Sequence, residues 1–128
     1  MLSDGQFVPS ISRKKSMTND QTPNAPTPVF RIDKFIVPAE VLPAFVAQMQ
    51  RIQQTLRSLP GCVRNQVLTQ IGGPGEFNVL TVVEWASEQA VATATSFVQK
   101  KFAEEGFDPA DFVRRNGVRA DLGFYRAA

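Results

Sequence analysis

Histidine, the side chain most often used to move protons near neutral pH, is absent from all 128 residues. Its absence excludes histidine-based triads, histidine zinc sites and histidine-ligated haem. The single cysteine, Cys62, excludes an intrachain disulfide. It reads either as a small buried apolar residue at a strand start or as a reactive thiol. What remains for chemistry is one tryptophan, one tyrosine, a few neutral hydrogen-bonding groups and several charges. Trp85 either offers a flat wall to an aromatic ligand or caps a strand end in the core. Thr81 and Asn65 can supply neutral hydrogen bonds, although both also suit ordinary strand positions, and Asn65 equally suits a subunit interface. Tyr125 is a candidate proton donor or a packed ring with its hydroxyl at the surface. The Gly72-Gly73-Pro74-Gly75 stretch lacks the Lys-Ser/Thr and helix of a phosphate cradle, so it reads as a hairpin turn.

Among charged residues the candidates are Arg31, Asp33 and Lys34, then Arg64, then Glu84 beside the tryptophan. Strand alternation places Arg31 with Asp33, and Arg119 with Asp121, on shared faces. Such residues suit cross-strand salt bridges at a rim or interface. If Arg31 or Arg119 instead entered a pocket, it would stabilise a phenolate, because arginine stays protonated. No residue stands out as a general base, which leaves the substrate's own acidity to serve.

The elements that must position these residues begin at Val29. Val29 to Val37 is rich in β-branched and aromatic residues and reads as a strand. Pro38 ends it and opens a helix whose apolar residues, Val41, Leu42, Phe45, Val46, Met49, Ile52 and Leu56, recur at helical spacing. Gln48, Arg51, Gln54 and Arg57 form its solvated face. Pro60-Gly61 turns the chain into strands 62–71 and 76–85. Ser87 is a candidate N-cap for a second helix, which Gly106 ends. Its small residues Ala90, Ala92, Thr93, Ala94 and Thr95 either leave a cavity over a sheet or pack closely against it. Asp108-Pro109-Ala110-Asp111 starts a short helix, and Val118 to Arg126 is a fourth strand.

The order β-α-β-β-α-(α)-β predicts an α+β, ferredoxin-like domain: a four-stranded antiparallel sheet with helices on one face. In the third strand Phe77, Val79, Thr81, Val83 and Trp85 alternate with Asn78, Leu80, Val82 and Glu84, so both faces carry apolar residues. One face meets the helices. The other is expected to meet a second copy of the chain, sheet to sheet.

Hydrophobic residues make up 43% and charged residues 20%, the balance of a globular domain. The net charge of +2 makes no case for nucleic acid, and no apolar run is long enough to cross a membrane. Residues 1–28 combine Arg13, Lys14 and Lys15 with Pro9, Pro23, Pro26 and Pro28 among polar residues. They are expected to form a mobile tail ahead of a domain over 29–128. Two further readings stay open: a mitochondrial presequence, or an upstream extension before a start at Met17. With one cysteine and no apolar signal region, the cytoplasm is the default location.

Phe35-Ile-Val-Pro38, Leu59-Pro-Gly-Cys62, Val83-Glu-Trp-Ala-Ser87 and Gly117-Val-Arg-Ala-Asp121 together resemble the antibiotic biosynthesis monooxygenase family. The resemblance spans about residues 29–126 and implies a dimeric α/β barrel. Its members include cofactor-independent oxygenases of polyketides, quinol oxygenases and haem degraders. In the aromatic oxygenases an asparagine stands four residues before the strand tryptophan; here that residue is Thr81. Some of them also carry pocket histidines, and haem degraders use a helix histidine and a helix tryptophan. This chain has none of these.

The resemblance implies a cofactor-independent monooxygenase acting on an aromatic phenol, quinol or polyketide-like molecule, with no metal or organic cofactor. The alternative is a non-catalytic dimer that binds a small apolar metabolite. A third reading is an interaction module that uses the basic tail.

Overall fold

The computed structural model describes residues 26–128, so the tail expected over 1–28 lies almost wholly outside the described residues. Four strands, β1 (Val29–Ile36), β2 (Cys62–Thr69), β3 (Val79–Trp85) and β4 (Arg119–Tyr125), form one antiparallel sheet in the order β2-β3-β1-β4. Helix α1 (Leu42–Arg57) joins β1 to β2, while α2 (Glu88–Glu105) and α3 (Pro109–Arg115) join β3 to β4. This is the expected ferredoxin-like arrangement.

The helix ends follow the expected chemistry. Ser87 Oγ accepts the Ala90 amide at 3.1 Å and Gly106 closes α2 at φ 69°. Asp108 Oδ1 accepts the Ala110 and Asp111 amides at 3.1 and 3.3 Å, with Pro109 in the first turn of α3. Two boundaries differ from the sequence reading. Pro38 opens a single 3-10 turn, Ala39–Val41, and the α-helix proper begins only at Leu42. The β2–β3 connection is also longer, because side chains hold it. Gln70 Nε2 donates to Gly75 O at 2.8 Å, and the Asn78 amide clasps both backbone groups of Val37 at 2.8 and 2.9 Å.

One face of the sheet carries the helices. Phe35, Val37, Phe45, Met49, Val79 and Val118 form one buried cluster, and Val83, Trp85 and Ala94 form another. Phe45 anchors the first, its ring 5.1 Å from Phe35 and 5.8 Å from Phe112. The reverse face has no helix over it. Ile32, Ile36, Leu80 and Val82 are only partly shielded there, and Leu68 is 42% exposed. Among the described residues, no helix is long and apolar enough to cross a membrane.

Candidate functional site

Antiparallel register fixes which side chains share the helix-covered face. Asp33 lies opposite Thr81 on β3 and Leu122 on β4, and Arg31 lies opposite Val83 and Phe124. These six residues form much of the floor of a cavity of about 840 Å³. Met49, Ile52, Gln53 and Leu56 of α1 wall one side, and Val91, Ala94, Thr95 and Val98 of α2 another. The small residues of α2 thus leave space over the sheet, although only Ala94 and Thr95 of those expected line it. Leu122 and Phe124 are 55% and 54% exposed, so the cavity is open along β4.

The walls are mostly apolar, and the polar groups are concentrated on the floor. Arg31 Nε donates to Asp33 Oδ1 at 2.6 Å, and the Arg31 guanidinium lies 4.8 Å from the centre of the Phe124 ring. The expectation of a rim salt bridge is therefore corrected for Arg31 and Asp33: they pair along one strand, inside the cavity. Cross-strand pairs on the reverse face are Lys34–Asp121 at 3.7 Å and Arg64–Glu84 at 3.0 Å. Burial, the largest influence, pushes the Asp33 carboxyl above its ordinary value. The Arg31 hydrogen bond and charge, and the Gly123 amide, oppose that rise.

Thr81, only 7% exposed, lines the cavity beside this pair. Among the described residues its hydroxyl has no hydrogen-bond partner. Trp85, 4% exposed, closes the strand end in the cluster with Val83 and Ala94 and lines the cavity. Gln53, not singled out from the sequence, is buried with its amide donating to Gln66 O at 3.2 Å. Its signal was a polar residue within the apolar stripe of α1, one turn after Met49.

The remaining candidates lie elsewhere. Asn65 faces the helices, but its side chain is committed to Gln53 O at 2.7 Å and to Arg57 at 3.0 Å. Arg119 and Tyr125 point to the reverse face by alternation, opposite Ile36 and Phe30. Tyr125 also borders a smaller cleft at the end of the sheet, between β4 and the start of α2, with Val29, Glu88 and Val91. Cys62 is half-buried against the Val83–Trp85 cluster, and desolvation raises its thiol pKa, the opposite of what a reactive thiolate needs.

The cavity walls contain no imidazole, thiolate or phenolate, and Met49 is the only lining side chain of a type that ligates haem iron. Among the described residues no cluster of three or more histidine, cysteine or carboxylate side chains is placed to hold a metal ion.

The fold is similar to that of a candidate monooxygenase from Shewanella loihica PV-4, with 24% identity and a TM-score of 0.61 over 80% of this chain and 95% of that one. It is also similar to SnoaB, a cofactor-independent oxygenase from Streptomyces nogalater (20% identity, TM-score 0.58, 79% and 93% covered). A third similar structure is the haem-degrading protein Rv3592 from Mycobacterium tuberculosis (19%, TM-score 0.53, 80% and 93%). No curated protein sequence matches. The antibiotic biosynthesis monooxygenase family model matches residues 28–96, more than half of the sequence and the stretch that supplies β1, α1, β2, β3 and Trp85. The chain belongs to the antibiotic biosynthesis monooxygenase family.

Proposed function

We propose that this protein oxidises an aromatic phenol, quinol or polyketide-like molecule with dioxygen, without a metal or organic cofactor. The observation that carries the reading is an apolar cavity of about 840 Å³, walled by Trp85, whose floor holds Arg31, Asp33 and Thr81. Such a cavity takes a flat aromatic body and orients its oxygen toward one polar spot. The reaction needs little more from the protein. An electron-rich substrate anion gives one electron to dioxygen, which bypasses the spin barrier. The resulting radicals combine at carbon to form a hydroperoxide. Loss of water then turns a methylene into a carbonyl, and the four electrons removed from carbon reduce dioxygen fully. Arg31 supplies the fixed positive charge that stabilises the anion. A second copy of the chain, packed on the reverse sheet face, completes the working unit.

The second reading is a non-catalytic carrier of a small apolar metabolite. It is favoured by Thr81, which stands where the family's aromatic oxygenases resemble one another in an asparagine. Oxygen uptake by metal-free protein, offered anthrones, naphthoquinols and catechols, separates the two. Uptake that disappears in folded Trp85→Ala is the expected result. Tight binding of the same compounds without uptake would assign the carrier role.

A further inference from the structure

A charged pair on the covered face of a central strand needs a reason. Replacing such a pair by apolar residues commonly costs nothing or stabilises, so packing alone does not call for Arg31 and Asp33. Their surroundings sharpen the point. Around Asp33, α1 presents Met49, Ile52 and Gln53, and α2 presents Val91, Ala94, Thr95, Val98 and Gln99, none of them charged. The only other charge among the lining residues is Asp108, whose carboxylate is engaged in capping α3. The Asp33 side chain is 16% exposed, enough to meet a ligand in the cavity. Among the described residues, Arg31 hydrogen-bonds protein only through Nε while its guanidinium rests on Phe124, which leaves the terminal nitrogens to hydrogen-bond a ligand. The Thr81 hydroxyl, directly across from Asp33, is more than nine-tenths buried, lines the cavity and has no partner among the described residues. A buried hydroxyl left unpaired is costly, and a ligand oxygen at this spot would recover that loss.

We propose that Asp33 is the catalytic base of this cavity, removing an acidic hydrogen from a ring carbon or hydroxyl while Arg31 and Thr81 hold the oxygen that becomes negative. This rests on the oxygenase reading and narrows its substrate to a flat ring system whose acidic hydrogen is conjugated to an oxygen. In the step, the substrate C–H or O–H bond breaks and its electron pair stays with the substrate as enolate or phenolate. The proton passes to an Asp33 oxygen. No oxidant is consumed, and the charge in the cavity is conserved. The raised affinity of Asp33 for protons suits this exchange, because a carboxylate that is reluctant to stay charged is a stronger base.

The test is deuterium exchange into the methylene group of anthrone, followed by NMR in oxygen-free heavy water with the intact chain. The wild type is expected to accelerate exchange over buffer, with a rate that falls in acid as Asp33 takes up its proton. Asp33→Asn is expected to lose about a hundredfold or more, together with that acid limb. Thr81→Val is expected to weaken anthrone binding while keeping the acid limb, and Thr81→Ser to restore the binding. Wild-type exchange no faster than buffer at saturating anthrone would overturn the proposal, as would Asp33→Asn exchanging at the wild-type rate. Should Asp33→Asn fail to fold, an exchange rate in the wild type that stays flat through the acid range would overturn it equally. Exchange without aerobic oxygen uptake would uphold Asp33 as base and refute the oxygenase reading; uptake undiminished in Asp33→Asn would do the reverse.

Discussion

Arg31 and Asp33, two residues apart on the central strand β1, pair at 2.6 Å on the face that the helices cover. The pair sets a pH dependence whose sign follows from burial. Desolvation raises the folded-state Asp33 carboxyl above its ordinary 3.8, outweighing Arg31 and the Gly123 amide. Between 3.8 and that raised value, the folded chain keeps a proton that the unfolded chain has released. Asp33's contribution to stability is therefore most favourable below this window and falls as pH rises through it. Denaturant midpoints of the wild type and Asp33→Asn, compared from about pH 3 to 7, should show the wild type losing ground to the variant with rising pH. A difference independent of pH would contradict this account.

The same pair should separate stability from function. Replacing Arg31 alone leaves a partly buried carboxylate without its partner, so Arg31→Met is expected to lose about 1–3 kcal/mol at neutral pH. The double variant Arg31→Met with Asp33→Leu leaves no charge on the floor and is expected to match or exceed wild-type stability. It should nevertheless lose turnover and binding of phenolic ligands. Thermal melts beside ligand titrations read both effects; a double variant no more stable than Arg31→Met alone would contradict the argument.

Trp85 is the only tryptophan and lines the cavity, so its fluorescence reports ligand entry without interference from another indole. Dihydroxyanthraquinone, an aromatic that cannot be oxidised at the ring methylene, should quench it at saturable concentrations. Trp85→Ala is expected to cost about 3–5 kcal/mol through the cavity it leaves beside Val83 and Ala94. Trp85→Phe should recover most of that stability but bind the ligand less tightly. Binding measured by calorimetry with unchanged fluorescence would place the ligand away from Trp85.

The fold was readable because its signals are local. Ser87, Gly106, Asp108 and Pro109 act at the helix ends where their chemistry placed them. Alternation in β3 separated Thr81, Val83 and Trp85 from Leu80 and Val82. The cavity was less readable, because it depends on how far α2 stands from the sheet, which no local pattern encodes. Alternation also grouped Arg31 with Asp33 without saying which face they occupied. Charge favoured the rim, whereas register with Thr81 and Val83 puts them inside. Asn65 has the right type and face for a ligand, yet Gln53 and Arg57 from a neighbouring helix use up its amide.

Gly61 is held at φ 85°, and a Cβ there would come within 2.4 Å of Ala90 Cβ at the start of α2. Its turn therefore sets how closely α2 approaches the β2–β3 end of the sheet, beside Trp85. Gly61→Ala is expected to destabilise by about 1–3 kcal/mol, combining backbone strain with overpacking. Pairing it with Ala90→Gly removes the clash and should restore part of the loss. Chemical denaturation of the two variants checks this, and full stability in Gly61→Ala alone would contradict the packing.

The reverse face of the sheet predicts the assembly. Ile32 lies beside Val82 and Lys34 beside Leu80, with no helix over them, while Leu68 and Tyr125 are 42% and 45% exposed. Four charges on this face pair off in Lys34–Asp121 at 3.7 Å and Arg64–Glu84 at 3.0 Å, and Arg119 stands on the edge strand β4, which leaves the apolar centre free to be covered. A second copy placed face to face would bury that centre against its own equivalent, the self-complementary contact that two-fold symmetry requires. Light scattering at micromolar concentration should give a dimer mass. Val82→Lys should give a folded monomer, since its side chain points away from the helices and their cavity. Loss of oxygen uptake in that monomer, at wild-type helicity, would show that the dimer contact also holds the cavity in its working shape; a monomeric wild type would remove the sheet-to-sheet model altogether.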